Sequence, residues 1–469
     1  MSVMIGIEVH CQLNTDSKLF CSDSHDLRGK KPNESTCPIC LGFPGTKPRI
    51  NKKAIDHVIT IGLALGCKIS ERSFFSRKTY FYPDMSKNYQ ITQYEIPLAL
   101  NGSVALNEDT IRIRRVHLEE DPARLVHVGG DITNAKYVLI DYNRSGVPLA
   151  EIVTEPDFTT PKQVRIFLEK LVSILEHLGV YDSGKEATLR VDANISMDGG
   201  ERVEVKNITG FENVEKALNF EITRQRGMTR MEVQVERETR HFDADSATTK
   251  SLRKKEYEED YGYIFDPDLP IIEVDNAWLS SLKSAMPELP DHRVRRFVEQ
   301  YKLKEPSSRA LVYTDKKLAD FFEQCCNLHD NPIEVSNWII NYLLKSLNWR
   351  SERIAQSKAR PDTFVELLEM IDKGEITERY AKELIKEYAD TGKHPRDIAK
   401  AGVQPMDDSA LREIVRAVVR DHDNAVKEFV SGKNESMQFL IGVVLKATGN
   451  IADPKKIREL LIDEIKNGR

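Results

Sequence analysis

The chain has 469 residues, 40% hydrophobic and 30% charged, with a formal net charge of −6. That length exceeds one ordinary core and predicts two or three domains. The mild acidity argues against coating of nucleic acid by bulk electrostatics, while leaving local basic patches open. No apolar run approaches the roughly 20 residues needed to span a bilayer. The N-terminus enters a strand with neither a basic nor an apolar leader. The reading is a cytoplasmic chain with no membrane segment, whose cysteines are reduced thiols or metal ligands.

In chain order, residues 1–290 are dominated by strand-like segments. These are Ile5–Leu13, Ser73–Tyr82, Ile111–Leu118, Val138–Asp141, Thr188–Ile195, Val203–Lys206 and Met231–Phe242. Two helices interrupt them. Asn51 caps one that runs to about Leu65 and stops at Gly66; Pro161 opens Lys162–Leu178, closed by Gly179. Few helices among many strands predict an α+β domain around a mainly antiparallel sheet. After Pro287-Glu288-Leu289-Pro290 the alternation stops. Helix-period segments follow at Lys316–Cys326, Val335–Leu347, Thr363–Asp372, Arg379–Tyr388, Leu411–Val419, Met437–Lys446 and Lys455–Ile465. The parse is a β-rich domain (1–290), a helical domain (291–404) and a small helical tail (405–469), the last two divided near Gly402–Pro405.

Chemistry concentrates in the first domain. In Ile7-Glu8-Val9-His10, Glu8 and His10 share one face of a strand, as do His117 and Glu119 in Val116–Asp121, where Glu120 and Asp121 add charge. Carboxylates so close repel unless a cation sits among them, and oxygen-rich clusters with a histidine suit Mg²⁺. Arg190, Asp192 and Asn194 alternate onto one face, fitting phosphate, Mg²⁺ or ribose. The Asn143-Arg144-Ser145-Gly146 turn offers amides and a guanidinium to an anion, with Glu151 following on a strand. Cys37-Pro-Ile-Cys40 with Cys21 upstream favours structural zinc, and Asp23, His25 and Cys11 are alternatives for a fourth ligand. The stretch from Arg77 to Tyr94, with Lys78, Tyr80 and Tyr82, mixes cations, amides and phenols as a polar channel would. In the tail, Lys446, Lys455, Lys456 and Arg458 surround a Gly449–Pro454 turn where phosphates would relieve lysines at a helix start. Each cluster alone also fits a polar strand or helix facing water. Their number is what argues for a site.

The segments IGIEVHCQLNTDSKLFC (5–21), CPICLGFPGTKP (37–48), RKTYFYPDMSKNYQITQYE (77–95), HLEEDPAR (117–124), DYNRSGVPLAEIVTEPD (141–157) and LRVDANIS (189–196) occur in this order. Together they closely resemble the B subunits of the tRNA-dependent amidotransferases, the GatB family. DYGYIFDPDLP (260–270) looks like that family's archaeal form. The resemblance implies that ATP phosphorylates the side-chain carboxylate of glutamate or aspartate misacylated on tRNA, as Glu-tRNA(Gln) or Asp-tRNA(Asn). Ammonia released from glutamine by a partner amidase subunit then displaces phosphate, and a small third subunit holds the heterotrimer together. The resemblance implies Mg²⁺ on Glu8, His10, Glu120 and Glu151, with Glu119 and Asp192 on a second ion. Arg190, Asn194 and Lys206 would touch phosphate or ribose; Lys78, Tyr80, Tyr82 and Glu120 would line the ammonia exit. Zinc-bearing members show CxC before CPxC; here Asp23 stands at the second cysteine, giving Cys21, Asp23, Cys37 and Cys40 as the set. The tail would bind tRNA. The rival reading is a catalytically inert, zinc-containing tRNA scaffold.

Overall fold

The computed structural model describes residues 2–106, 108–129, 135–184, 189–254, 262–402, 408–448 and 454–467. The chain divides into two compact units, Met1–Pro290 and Asp291–Arg469. The fold class is α+β.

In the first unit the strands begin with β1 (Val3–Gln12), β2 (Lys68–Ile69), β3 (Arg72–Ser73), β4 (Ser76–Thr79) and β5 (Tyr89–Thr92). They continue with β6 (Ala99–Leu106), β7 (Asp109–Glu120), β8 (Arg124–Val128), β9 (Tyr137–Asp141) and β10 (Pro148–Thr154). The last are β11 (Leu189–Met197), β12 (Val203–Ile208), β13 (Glu238–Asp243), β14 (Thr248–Lys254), β15 (Gly262–Phe265) and β16 (Ile272–Glu273). A nine-stranded sheet has the order β14-β13-β12-β11-β1-β10-β7-β6-β2. It is antiparallel except for β12 and β13, whose parallel pairing requires a crossover. Helix α3 (Phe211–Arg230) supplies it.

β1 lies at the middle of the sheet because it alternates strictly. Ile5, Ile7, Val9 and Cys11 are buried together with Ala150, Ile152, Val191 and Ala193. Helices α1 (Lys52–Ala64), α2 (Pro161–His177) and α3 pack on that apolar side. The Asn51 side chain caps α1, and Thr160 with Gln163 forms a capping box at α2. The other side of the sheet is left to the ionisable residues. Three small sheets (β15-β4-β5, β16-β3 and β8-β9) complete the strands of this unit.

Two expectations about elements need correction. Ser73–Tyr82 is not one strand: it breaks into β3 and β4, and a turn follows before the chain resumes as β5. Met231–Phe242 is not one strand either, since Met231 caps α3 and only Glu238 onward is extended. In the second unit the helices follow the sequence periods, with one irregularity. Val335–Leu347 contains a π-helical turn at Ile339–Leu343 between two α-helical pieces. One core gathers Leu311, Phe322, Phe364 and Tyr388; another gathers Leu411, Leu440, Val444 and Leu461. Most of the expected division near Gly402–Pro405 lies in 403–407, outside the described residues.

Candidate active site on the polar face of the sheet

Strand register brings distant carboxylates together. Arg190 of β11, His10 of β1, Glu151 of β10 and His117 of β7 stand opposite one another in one row across four strands. One step along, Asp192 faces Glu8, and Glu204 of β12 faces Asn194. Paired residues in antiparallel strands share a face, so both rows project to the side away from α1–α3.

Two donor groups result. In the first, His10, Glu119 and Glu151 bring ligand atoms within 4.8 Å of one another. His10 Nε2 lies 3.4 Å from Glu151 and 3.8 Å from Glu119; His117 Nε2 lies 3.5 Å and 3.8 Å from the same two carboxylates. In the second, Glu8, Asp192 and Glu204 likewise bring ligand atoms within 4.8 Å of one another. Lys206 Nζ sits 3.5 Å from both Asp192 and Glu204, and Asn194 donates to Glu8 at 3.0 Å.

Their electrostatics differ. Burial would raise the pKa of Glu151, but His117, His10 and Arg115 outweigh it and hold that carboxylate well below the usual range. Burial would discharge His10, yet its hydrogen bond to Glu151 and the charges of Glu151, Asp192 and Glu119 raise its pKa to about 9. Glu8 has no such relief. Burial, then Glu151, Asp192 and Glu204, push its pKa upward against the weaker pull of Lys206. A divalent cation would remove that repulsion.

The placement revises part of the sequence grouping. Glu119 joins His10 and Glu151, while Glu8 separates from His10 and joins Asp192. Glu120 belongs to neither group. Adjacent residues of a strand face opposite sides, and its carboxylate is held by Lys87 Nζ at 2.5 and 2.6 Å and by the Ile91 amide at 2.8 Å. The Arg144 guanidinium is engaged within the protein. It donates to the carbonyls of Pro122 (3.0 Å) and Ala123 (2.7 Å) and lies 3.6 Å from buried Asp121. Arg190 is likewise engaged, donating to Asp121 at 2.7 Å. Lys78 lies on β4 with its ammonium 6.0 Å from the Tyr80 ring, while Tyr82 is exposed in the turn beyond. Sequence reasoning misses Glu204. The alternation in Val203-Glu-Val-Lys206 was the available signal, since it places Glu204 and Lys206 on one face.

A third group lies off the sheet. Cys21, Asp23, Cys37 and Cys40 bring their donor atoms within 4.8 Å of one another. The two alternatives to Asp23 are engaged elsewhere: Cys11 is in the sheet core, and His25 Nδ1 lies 3.2 Å from the Thr15 carbonyl. Tetrahedral zinc with thiolate bonds of about 2.3 Å sets sulfurs about 3.8 Å apart, which this spread accommodates. The fully buried Lys18 ammonium stands 3.6 Å from Cys40 Sγ. The hydrogen bond from Cys21, with smaller help from the Cys37 amide and Lys18, lowers the Cys40 thiol to about 6 despite burial. In the tail, Lys446, Lys456 and Arg458 are exposed on the helices Asn434–Ala447 and Pro454–Asn467. The Lys455 side chain lies outside the described residues.

A mixed sheet with a donor-lined polar face, followed by helices, defines a GatB-type catalytic architecture. Residues 3–280 match the GatB/GatE catalytic domain, and residues 320–465 match the GatB domain. A relative from Saccharolobus solfataricus, named as the B subunit of aspartyl/glutamyl-tRNA(Asn/Gln) amidotransferase, is 46% identical over 98% of both chains. Proteins of the same name from Methanospirillum hungatei and Carboxydothermus hydrogenoformans are 44% and 40% identical, again over 98% of each chain. The chain belongs to this family of aspartyl/glutamyl-tRNA(Asn/Gln) amidotransferase B subunits, components of a multisubunit ligase. Among the described residues no helix is long and apolar enough to cross a membrane.

Proposed function

We propose that this chain carries the kinase and transamidase site of a tRNA-dependent amidotransferase. ATP phosphorylates the side-chain carboxylate of glutamate or aspartate misacylated on tRNA, and ammonia displaces the phosphate to give Gln-tRNA(Gln) or Asn-tRNA(Asn). The observation that carries this reading is the pair of donor groups in neighbouring rows of one sheet face. Phosphoryl transfer needs positioning and charge neutralisation rather than covalent help from the protein. The donors fit Mg²⁺: they are oxygen-rich and buried, the Glu8 group is mutually repelling, and His117 Nδ1 is a buried polar atom without a hydrogen-bond partner among the described residues. His10, Glu119 and Glu151 would hold one ion, and Glu8, Asp192 and Glu204 the other. Bound there, Mg²⁺ would neutralise charge on the transferring phosphate. Lys206 and Arg115 orient the surrounding carboxylates.

Ammonia comes from glutamine through a partner amidase, with a small third subunit holding the two large chains together. That the relatives are named as one lettered part of a larger enzyme accords with such an assembly. Lys78, Tyr80, Tyr82 and the Lys87–Glu120 pair are the candidates for the ammonia route. Cys21, Asp23, Cys37 and Cys40 hold a structural Zn²⁺, with Lys18 offsetting the thiolate charge. Residues 1–290 supply the chemistry, 291–404 the helical body, and 405–469 the tRNA contact through Lys446, Lys455, Lys456 and Arg458. The enzyme works in the cytoplasm.

The inert scaffold has no use for two buried donor groups, one of them left with unrelieved repulsion at Glu8. The discriminating assay uses the assembled complex with mischarged tRNA, ATP, Mg²⁺ and glutamine. Glu151→Gln should cut amidation by about 10³-fold, the scale of losing a key electrostatic group, with tRNA affinity unchanged. Amidation at the unsubstituted rate would remove the catalytic assignment.

A further inference from the structure

A hydroxyl outside the second donor group holds one of its carboxylates. Thr239 of β13 donates to Glu204 Oε2 at 3.2 Å, and the two residues are 3% and 4% exposed. The contact follows from register. In the parallel β12–β13 ladder Glu204 stands opposite Thr239, and Lys206 opposite His241. Side chains alternate along β13, so Phe242 joins the core and Arg240 meets Glu221 of α3, while Thr239 turns to the polar face. A valine would suit a buried strand position at least as well, so the hydroxyl needs a reason of its own.

The chemistry of the group supplies that reason. Three carboxylates converge although they repel, and each is held by a neighbour. Asn194 donates to Glu8 at 3.0 Å, and Lys206 lies 3.5 Å from Asp192 and from Glu204 Oε1. Thr239 takes the other Glu204 oxygen. The Lys206 ammonium offsets part of the negative charge that a cation would seek. A neutral hydroxyl orients the carboxylate and leaves that charge available. Hydrogen bonds of this kind fix the orientation of metal-ligating carboxylates. A free glutamate side chain would lose rotamer freedom on capturing an ion, and Thr239 removes that freedom beforehand.

We infer that Thr239 is a positioning residue for the Glu8–Asp192–Glu204 group: it orients Glu204 for a divalent cation and acts through Glu204 alone. This inference rests on the reading of that group as an ion site, and it adds a residue outside the group that sets the affinity.

Mn²⁺ serves as the probe, because carboxylate oxygens take it as they take Mg²⁺ and electron paramagnetic resonance measures its free form. The assembled complex carries Glu151→Gln, which weakens the neighbouring His10 group so that the titration reports on the group of Glu8. In that complex Thr239→Val should raise the Mn²⁺ dissociation constant by about tenfold, the low end for losing a partner behind a metal ligand. Thr239→Ser keeps the hydroxyl and should bind Mn²⁺ as threonine does. If the valine variant folds poorly, Thr239→Ser against Thr239→Ala poses the same question, since those two differ by the hydroxyl alone. In amidation with Glu151 intact, Thr239→Val should raise the Mg²⁺ concentration needed for half-maximal rate, and saturating Mg²⁺ should restore that rate. Mn²⁺ affinity unmoved by loss of the hydroxyl would overturn the positioning role while leaving the ion site intact. Serine losing as much as valine, or a rate that Mg²⁺ fails to restore, would do the same. No Mn²⁺ binding with Thr239 in place would overturn the ion-site reading and this inference together.

Discussion

Buried charge is handled in opposite ways in the two units. In the helical unit, Arg293 is almost fully buried and pairs with Asp320 at 2.6 Å and with Glu323, and Arg296 meets Glu323 at 2.6 Å. Charges there cancel locally. On the polar face of the sheet the carboxylates outnumber the cations they touch, and Glu8 is pushed toward its neutral form as a result. A closed set of pairs serves the fold. An unbalanced set costs stability until a cation arrives, which makes it a candidate binding site.

The sharpest way to break that contrast is Glu8→Gln. In the assembled enzyme it should lower amidation by about 10³-fold. In the metal-free protein it should raise the melting temperature. The sign follows from Glu8's raised pKa: above that pKa the ionised carboxylate is less favourable folded than unfolded, so replacing it relieves the fold. A lower melting temperature in EDTA would mean that Glu8 is a structural partner and that the imbalance is illusory. Glu120→Ala should behave in the opposite manner. It leaves the Lys87 ammonium largely buried and unpaired, which costs about 2–4 kcal/mol, and Lys87→Met added to it should restore most of that loss. A single variant as stable as the unsubstituted chain would detach Glu120 from the fold.

Period-two alternation made Glu8, His10, His117 and Glu119 legible as outward-facing residues, and the helix stops at Gly66 and Gly179 were equally plain. Which outward residues would meet depends on register across strands, which alternation does not encode. Glu204 reaches Glu8 only through the β11–β12 pairing, and that ladder shifts register between Val191 and Ala193. Glu120 is misgrouped in the sequence because neighbours along a strand point to opposite sides of the sheet. Helix α3 was invisible for a different reason. Its inward stripe carries Glu221 and Gln225 among Val214, Leu218 and Ile222, blurring the apolar period. Those polar groups become acceptable only beside Arg240, Arg224 and Thr249, which the tertiary fold delivers. Asp23 as fourth donor came from the family resemblance; the residues alone left Cys11 and His25 open, because only the fold places Cys11 in the core.

Glu323→Gln should give the smallest effect and the clearest pH signature. Burial opposes ionisation of Glu323, but its hydrogen bond to Arg296 and the charge of Arg293 prevail and lower its pKa. A depressed folded pKa means that the carboxylate stabilises the fold fully above its unfolded pKa of about 4.5. That contribution fades as pH falls through the lower folded value. Arg293 is almost fully buried while Arg296 and Glu323 itself are partly exposed, so the loss at pH 7 should be about 1–2 kcal/mol, between surface and fully buried pairs. Denaturant melts at pH 7 and pH 3 measure it: the difference between variant and unsubstituted chain should shrink at the lower pH. Amidation at pH 7 should stay within about twofold, because the pair balances its own charge and holds no ligand. A large activity loss with unchanged stability would show that charge in the helical unit also serves the reaction, and the contrast between the units would fail.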